Sequence, residues 1–181
     1  MSQIDFMNIN GDELNLLIDK ETIRSRIDEL AKQIRKDHGD GTLSVLCVLN
    51  GAFVFAADLI RAYEGPCEIT FVKLSSYQGT ESTGTVKMAE KIPCNITGKD
   101  VLIVEDIVDT GLTMDYLLKI VKAQNPRSVK VATCFDKPSR RKINVPVDYV
   151  AFEIEDKFIV GYGLDYDGLY RNLPSVYTKN G

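Results

Sequence analysis

Three acidic residues and two threonines are crowded into residues 101–113, which read VLIVEDIVDTGLT. Glu105 and Asp106 end an apolar run, and Asp109 stands before a Thr-Gly-Leu-Thr segment. Carboxylates accept strong hydrogen bonds from sugar hydroxyls and bind hard cations such as Mg²⁺. A glycine-containing turn that opens a helix presents backbone N–H groups, and the positive end of the helix dipole, to an anion. This combination predicts a site for a phosphorylated sugar.

A buried strand and a helix must position these residues. Residues 101–104 are the clearest buried strand in the chain, and an apolar stripe with helical spacing follows between residues 114 and 121. Ligands of open parallel sheets bind beyond the carboxyl ends of the strands, where Glu105 and Asp106 are expected to lie. Neighbouring residues of an extended chain point to opposite sides, so the two acids would hold a ligand from two directions.

The other apolar patterns predict an α/β protein. A helix should run from Asp19, a suitable cap, to about Gly39, and a second helix should cover residues 53–63. Further strands are expected at residues 43–49, 68–74, 129–135, 149–153 and 158–162. We predict a mostly parallel central sheet flanked by helices, in a single domain spanning residues 1–181. The tail from Val147 should add an antiparallel edge or a small hood or flap.

Composition limits the possible functions. The formal net charge is -4 without a basic block, which argues against a nucleic-acid binder. The sequence contains no apolar run of ~20 residues and no signal-peptide pattern, so neither a membrane span nor secretion is expected. The four cysteines form no CxxC pair, and reduced thiols in the cytoplasm are the natural interpretation. His38, the only histidine, is expected to be exposed and non-catalytic.

The segment 101–113 resembles the ribose-phosphate signature of the type I phosphoribosyltransferases. Four more segments resemble hypoxanthine and hypoxanthine-guanine phosphoribosyltransferases: LNGAFVFAADLIR (49–61), LSSYQGTESTGTVK (74–87), DKPSRR (136–141) and DKFIVGYGLDYDGLYRNLP (156–174). The similarity covers residues from about 20 to 175. It implies the type I phosphoribosyltransferase fold and a role in purine salvage. The expected reaction joins hypoxanthine or guanine, both 6-oxopurine bases, to phosphoribosyl pyrophosphate with Mg²⁺, giving IMP or GMP and pyrophosphate.

The resemblance also implies roles at the sugar and the base. Glu105 and Asp106 would hold the ribose hydroxyls, directly or through Mg²⁺, and Asp109 would be the catalytic acid/base near purine N7. The 5′-phosphate would be bound by Thr110, Gly111, Leu112 and Thr113. Lys137 would contact the purine oxygen at position 6; because lysine only donates hydrogen bonds, it favours a 6-oxo base over a 6-amino one. Phe158 would stack on the base, and Ile159 would contact it through its backbone.

A further set of residues would handle the pyrophosphate. Asn50 and Gly51 match the pyrophosphate loop, which in the family has a cis peptide before the position of Asn50. Many members carry Lys or Arg there, so Asn50 lacks that charge. The other implied residues are Arg141 and Arg171 on pyrophosphate, Asp165 on its Mg²⁺, and Ser76 and Tyr77 at the root of a mobile lid over residues 76–85. Family members are dimers or tetramers, so a homodimer or homotetramer is expected.

Other interpretations remain open at this point. A xanthine- or guanine-preferring transferase would use the same fold, and a phosphoribosyltransferase-like RNA-binding regulator would need a basic face. A Mg²⁺-dependent phosphatase would place its acids in Asp-x-Asp spacing, whereas Asp106 and Asp109 are three positions apart. Taken singly, Asp109 fits a helix cap, Lys137 a surface lysine and Phe158 a core strand residue.

Overall fold

The computed structural model describes residues 6–9, 11–76, 86–88 and 92–179. In chain order its elements are β1 (Phe6–Ile9), β2 (Asp12–Ile18), α1 (Lys20–His38), β3 (Leu43–Leu49), α2 (Phe53–Ala62), β4 (Cys67–Ser76), β5 (Val86–Met88), β6 (Asp100–Val108), α3 (Leu112–Lys122), β7 (Ser128–Asp136), β8 (Tyr149–Glu153), β9 (Ile159–Val160) and β10 (Val176–Lys179). A short 3₁₀ turn, Pro138–Arg140, follows β7. None of the helices in these ranges is long and apolar enough to cross a membrane.

The larger sheet has the strand order β5-β4-β3-β6-β7-β8. All neighbours from β4 to β8 pair in parallel, and β5 adds an antiparallel edge. The predicted, mostly parallel sheet is therefore confirmed. The expectation that the tail from Val147 starts an antiparallel edge is wrong for β8, because Thr133 of β7 pairs in parallel with Val150.

Side chains alternate between two apolar layers on either side of this sheet. Val45 and Cys47 of β3 face one layer, which contains the buried residues of α1 and α2. Leu46 and Val48 face the other layer, which contains those of α3. Each large side chain that is fully buried in this way stabilises the fold by roughly 1.5–3 kcal/mol. The two layers make the sheet a rigid support for the loops at its carboxyl edge.

The first helix begins and ends where the sequence predicted. The Asp19 carboxylate accepts a hydrogen bond from the backbone N–H of Thr22 at 2.8 Å, which caps the helix start. Gly39 ends the helix with φ at +78°, a conformation that glycine adopts without steric cost. The buried residues of α1 are the five apolar positions that gave its periodicity: Ile23, Ile27, Leu30, Ala31 and Ile34.

A second sheet, of order β1-β2-β10-β9, forms a hood beside the main one. The predicted contribution of the C-terminal segment is confirmed for β9 and β10. The sequence interpretation omitted β1 and β2, which supply the other half of the hood and pair as an antiparallel hairpin. Their apolar signal is weak, because Leu14 is fully buried whereas Leu17 on the same strand is 37% exposed.

The central strand β6 is longer than predicted. It was expected to end at residue 104, but it continues to Val108. Its pairing with β3 stops at Val104, whereas its pairing with β7 continues through Glu105 and Val108. Glu105 and Asp106 therefore lie on an extended strand whose β3-facing edge has become free to line a cleft.

The opposite end of β6 carries a second polar cluster. Asp100 pairs with the Arg127 guanidinium and accepts a hydrogen bond from the Ser128 hydroxyl at 2.6 Å. These contacts lower the pKa of Asp100 to about 2, with the Arg127 hydrogen bond as the largest cause. The His38 ring lies 3.8 Å from the Asp100 carboxylate, and its side chain is only 8% exposed. The expectation of an exposed His38 is therefore wrong.

Candidate active site

A cleft of about 280 Å³ opens at the carboxyl end of β6. Its lining comes from the ends of β3, β4 and β6 and from the start of α3: Val48, Leu49, Leu74, Glu105, Asp106, Ile107, Val108, Asp109, Gly111, Thr113 and Met114. The predicted sugar and acid/base residues thus meet in one cavity with two of the four predicted phosphate residues, Gly111 and Thr113. The prediction of a ligand site beyond the strand ends agrees with this position.

Buried Glu105 and partly buried Asp106 form an acidic pair in the cleft. The Glu105 carboxylate accepts the N–H of Asp106 at 3.0 Å, and the Asp106 carboxylate accepts the N–H of Ile107 at 2.6 Å. Burial and the charge of Asp106 raise the pKa of Glu105 well above its usual value. Burial also raises the pKa of Asp106, although the Arg171 charge opposes the rise. Since both carboxylates line the same cleft, a cation there would relieve their repulsion.

Asp109 and the turn after it lie next to this pair. The Asp109 carboxylate accepts a hydrogen bond from the backbone N–H of Thr110, which fixes its orientation. Gly111 caps α3 with φ at +81°, and a side chain there would collide with the carbonyl of Ile143. Leu112 is 37% exposed in the first turn of the helix. The turn therefore has the glycine conformation and the helix start that anion binding needs.

The predicted pyrophosphate loop contacts the acidic pair through bare backbone. The peptide bond between Leu49 and Asn50 is cis, as the resemblance implied. A Cβ atom on Gly51 would lie 1.4 Å from Oδ2 of Asp106. A Cβ atom on Gly163 would lie 2.1 Å from the carbonyl oxygen of Gly51. Three distant segments of the chain consequently meet with no room for side chains between them.

Arg171 ties the segment around Gly163 to this meeting point. It donates to the Gly163 carbonyl at 2.7 Å and pairs with the Asp165 carboxylate at 2.6 Å. The other oxygen of Asp165 accepts the N–H of Gly168 at 2.8 Å. The structure therefore brings Arg171 and Asp165 together, next to the loop that contains Gly51.

The predicted base-binding residues lie at the entrance to the hood. Lys137 is nearly buried, and its ammonium donates to the Lys157 carbonyl at 2.6 Å. Phe158 is 53% exposed, whereas Ile159 and Val160 after it are buried. A core role for Phe158 is thereby contradicted, and its ring is available for stacking. Sequence reasoning missed Tyr166, whose ring packs edge to face against Phe158 with centroids 5.7 Å apart.

Arg141 lies behind the Asp109 turn. Its guanidinium pairs with the Asp136 carboxylate and donates to the Asp109 carbonyl at 2.6 Å. The predicted lid is represented only by Ser76, the last residue of β4, whose pairing partner is Val86. Tyr77 and the rest of the lid lie outside the described residues, and their roles remain predictions.

Comparison with known proteins agrees with this geometry. A family model described as a phosphoribosyl transferase domain matches residues 17–167, which include both acids, the phosphate turn and Asp165. The chain therefore has the fold of a phosphoribosyltransferase and belongs to this class, which the sequence motifs predicted.

Individual relatives narrow the class. The hypoxanthine-guanine phosphoribosyltransferase of Aquifex aeolicus is 43% identical over 171 residues, covering 93% of this chain and 96% of the relative. The crystal structure of a hypoxanthine-guanine phosphoribosyltransferase from Bacillus anthracis, with HEPES in its active site, superposes with a TM-score of 0.86 at 45% identity, covering 91% of this chain and 97% of that one. A Trypanosoma cruzi hypoxanthine phosphoribosyltransferase gives 0.85 at 39%, covering 92% and 91%. The chain belongs to the hypoxanthine-guanine phosphoribosyltransferase family.

Proposed function

We propose that this chain transfers the 5-phosphoribosyl group from phosphoribosyl pyrophosphate to hypoxanthine or guanine, giving IMP or GMP and pyrophosphate. The observation that carries the proposal is the close approach of Gly51, Asp106 and Gly163. This contact joins the pyrophosphate loop, the ribose acids and the segment of Arg171 at one point. The phosphate turn and the exposed Phe158 ring would complete a site for a purine, a sugar, a 5′-phosphate and a pyrophosphate.

The purine would lie against Phe158, with Ile159 contacting it through the backbone. Lys137 would donate to the oxygen at position 6. Its ammonium is already held near the base by the Lys157 carbonyl at 2.6 Å and by Asp156 at 3.7 Å. An amino group at position 6 cannot accept this hydrogen bond, so adenine is disfavoured.

The ribose would lie over Glu105 and Asp106, whose carboxylates accept hydrogen bonds from its hydroxyls. In the reaction, the bond from C1′ to pyrophosphate breaks while a bond from the purine nitrogen to C1′ forms. Positive charge develops on the sugar ring, and the negative carboxylates beneath it stabilise that charge. Asp109 takes up the proton that the purine loses at N7, and its hydrogen bond from Thr110 N–H holds it ready for this role.

The 5′-phosphate and the pyrophosphate would lie at opposite ends of the sugar. The 5′-phosphate binds to the turn of Thr110, Gly111, Leu112 and Thr113, through backbone N–H groups and the start of α3. The pyrophosphate binds to the backbone of Asn50 and Gly51, with Arg171 beside it. Arg171 would supply positive charge near the position where Asn50 lacks it, while its two terminal nitrogens keep their contacts with the Gly163 carbonyl and Asp165.

The donors around the acidic pair fit Mg²⁺. Two adjacent buried carboxylates with raised pKa values favour a positive partner. Within the described ranges, no cluster of three or more acidic, histidine or cysteine side chains could hold a metal. This suits an ion that takes one or two carboxylates and completes its shell with water and substrate phosphates. Glu105 and Asp106 would hold one ion, and Asp165 would serve the ion on pyrophosphate; the chemistry that Mg²⁺ would supply there is neutralisation of the charge on the leaving group.

An assay of four bases tests the proposal. Hypoxanthine, guanine, xanthine and adenine are each mixed with phosphoribosyl pyrophosphate, Mg²⁺ and the protein, and nucleotide formation is followed by absorbance. We expect turnover of hypoxanthine or guanine and none of adenine. A preference for xanthine would move the protein to the alternative substrate class, and no turnover of any 6-oxopurine would refute the proposal.

We further propose a cytoplasmic homodimer or homotetramer. All four cysteines are free thiols, and Cys47 and Cys134 are fully buried, as expected in a reducing compartment. Phe53 at the start of α2 is 43% exposed, which provides an apolar contact for a second copy. Light scattering coupled to size-exclusion chromatography measures the assembly, and a monomeric mass at micromolar concentration would contradict it.

A further inference from the structure

The turn that carries Asp109 is held from behind by the segment that follows β7. The backbone N–H of Lys137 donates to the Val108 carbonyl at 3.0 Å. The N–H groups of Lys142 and Ile143 both donate to the Thr110 carbonyl, at 2.9 and 3.1 Å. The carbonyls on either side of Asp109 are therefore both fixed by backbone contacts with the segment after β7.

The Asp109 carbonyl between them is held by a side chain. Nη1 of Arg141 donates to it at 2.6 Å. In a trans peptide the C=O and the following N–H point to opposite sides. Fixing this carbonyl behind the turn therefore directs the Thr110 N–H towards the Asp109 carboxylate, to which it donates. Arg141 sets the peptide plane that orients the acid/base.

Asp136 completes the arrangement. Its carboxylate pairs with Nη2 of Arg141, and the two side chains are only 13% and 15% exposed. The Asp136 carbonyl accepts the N–H of Ile154 at 2.9 Å, which anchors the pair to the main sheet. The next residue in the chain is Lys137, the proposed reader of the 6-oxo group. The ion pair thus lies directly between the base-reading lysine and the catalytic turn.

We propose that Arg141 and Asp136 are positioning residues that fix Asp109 for proton transfer, in place of a direct contact between Arg141 and pyrophosphate. Both terminal nitrogens of Arg141 are committed to partners behind the turn. Its aliphatic stem also underlies the phosphate turn, because Cδ lies 3.2 Å from where a Cβ on Gly111 would stand. The proposal rests on the assigned reaction, since it specifies how that reaction's acid/base is held.

The proposal is tested by measuring whether the loss of kcat caused by a change at Arg141 depends on the presence of the Asp109 carboxylate. Arg141→Met keeps most of the stem and removes the guanidinium. In the wild-type background we expect kcat with hypoxanthine to fall by about 100-fold, the scale of a misplaced catalytic group. In an Asp109→Ala background the same change should cost at most about threefold, because an absent carboxylate cannot be misplaced. A purely structural role would give the same fold loss in both backgrounds and would overturn the proposal.

Two further variants sharpen the test. Arg141→Lys keeps the charge but cannot hold the Asp109 carbonyl and Asp136 with one fork, so we expect an approximately tenfold loss of kcat. It also serves where Arg141→Met does not fold. Arg140→Met is the matched control, because Arg140 is the neighbouring arginine at the end of the 3₁₀ turn, is 48% exposed and pairs with exposed Asp156; we expect kcat to change less than about twofold.

The outcomes separate this inference from the assigned reaction. Absence of wild-type turnover in the same assay would refute both the reaction and the positioning role that depends on it. Normal wild-type turnover with an unchanged kcat in Arg141→Met or Arg141→Lys would refute only the positioning role. An increased KM for pyrophosphate in the reverse reaction, at unchanged kcat, would restore direct pyrophosphate binding by Arg141.

Discussion

Single residues in this site owe their chemistry to the backbone around them. Asp109 is aimed by the N–H of the residue that follows it, and Glu105 accepts the N–H of its neighbour Asp106. Such contacts hold a carboxylate in place without a second side chain. The acids can therefore face a substrate while their orientation stays fixed.

Removing the Asp109 carboxylate should slow catalysis while leaving substrate affinity nearly intact. For Asp109→Ala we expect kcat to fall by about 100-fold or more, the usual contribution of a general acid/base. The KM for phosphoribosyl pyrophosphate should change little, because the phosphate contacts of the turn are backbone groups. Steady-state kinetics with hypoxanthine measures both. Asp115→Ala is the control, since Asp115 lies on α3 and pairs with Lys119; unchanged kcat in Asp109→Ala would remove the acid/base assignment.

Lys137 should set the preference for a 6-oxo group. A hydrogen bond from a charged donor contributes about 1.5–3 kcal/mol, so Lys137→Ala should lower kcat/KM for hypoxanthine and guanine by about 10- to 100-fold. The residual kcat/KM for adenine should change much less. The ratio of kcat/KM for 6-oxopurines to that for adenine should therefore fall. Lys157→Ala is a close control, because its backbone carbonyl still holds Lys137 while its own ammonium, which pairs with Glu155, is lost. An undiminished preference in Lys137→Ala would rule the contact out.

Glu105 lowers the stability of the ligand-free protein at neutral pH, although its carboxylate is needed for the proposed activity. Burial and the charge of Asp106 raise the pKa of Glu105 above its usual value of 4.5. The contribution of Glu105 to the free energy of unfolding is therefore fully present below pH 4.5 and is lost as pH rises through the raised pKa. At pH 7 the buried pair therefore destabilises the ligand-free protein. Glu105→Gln should raise the free energy of unfolding by about 1 kcal/mol while abolishing most activity. Urea unfolding at pH 7 and pH 4 checks this: the gain should shrink at the lower pH, and a loss of stability at pH 7 would contradict it.

At the scale of elements, three backbone segments of the chain meet at the site. The loop after β3, the strand β6 and the segment after β9 approach so closely that glycine is required at two of the contacts, Gly51 and Gly163. A methyl group at either position would separate elements that must act on the same sugar. The geometry of the site thus depends on the absence of side chains as much as on their presence.

Gly51→Ala should push the loop after β3 away from β6. The new Cβ would collide with the Asp106 carboxylate, so the loop or the acid must shift. We expect kcat/KM for phosphoribosyl pyrophosphate to fall by about 100-fold, since displacements near 1 Å have effects of this size. Gly41→Ala is the control, because the nearest neighbour of its Cβ would be the His38 side chain at 3.5 Å, an ordinary contact distance. Kinetics close to wild type for Gly51→Ala would show that the contact is dispensable.

The elements that periodicity predicts well are those with a continuous apolar pattern. The helix α1 and the strand β3 have the expected bounds, because their buried residues recur at one clear period. The strands β1 and β2 were missed because a two-sided hood gives only a weak pattern. The free edge of β6 and the bare contact of Gly51 were also beyond prediction, since both depend on which distant segments become neighbours.

Roles of site residues divide in the same way. The motif predicts which side chains would act on the substrate, because that prediction needs only residue type and order. Arg141 lies in one of these motifs, yet its contacts with Asp136 and the Asp109 carbonyl could not be foreseen from residue type. An arginine suits pyrophosphate and a backbone carbonyl equally well, and only the fold decides which of them it reaches.

At the scale of the molecule, chemistry and anchoring occupy opposite ends of the main sheet. The acidic pair lies at the carboxyl end of β6, and the cluster of Asp100, Arg127, Ser128 and His38 lies at its start. The first group is left with unfavourable charge that a ligand relieves. The second group is satisfied internally, which makes it a source of stability that does not depend on substrate.

Acid should remove the contribution of Asp100. Its pKa is lowered to about 2, so its stabilising effect is present above the usual value of 3.8 and is lost as pH falls through about 2. We expect Asp100→Asn to lower the free energy of unfolding by about 1–2 kcal/mol at pH 7 and to match the wild type near pH 2. Calorimetry across this range measures the change. Asp40→Asn, which alters a fully exposed acid paired with Arg35, is the control; a deficit that persists at pH 2 would contradict the assignment.

The hood has a consequence for the order in which the protein becomes competent during synthesis. Its central pairing joins β2 to β10, and the hydroxyl of Thr178 reaches the carbonyl of Asn15 across 163 positions of chain. During synthesis the strands of the parallel sheet, from β3 to β8, are all made before β10, the last of the described strands. Ile159 and its neighbour Phe158 gain their supporting partner only afterwards. The growing chain would therefore have its parallel sheet before it has the support for the residues proposed to hold a purine.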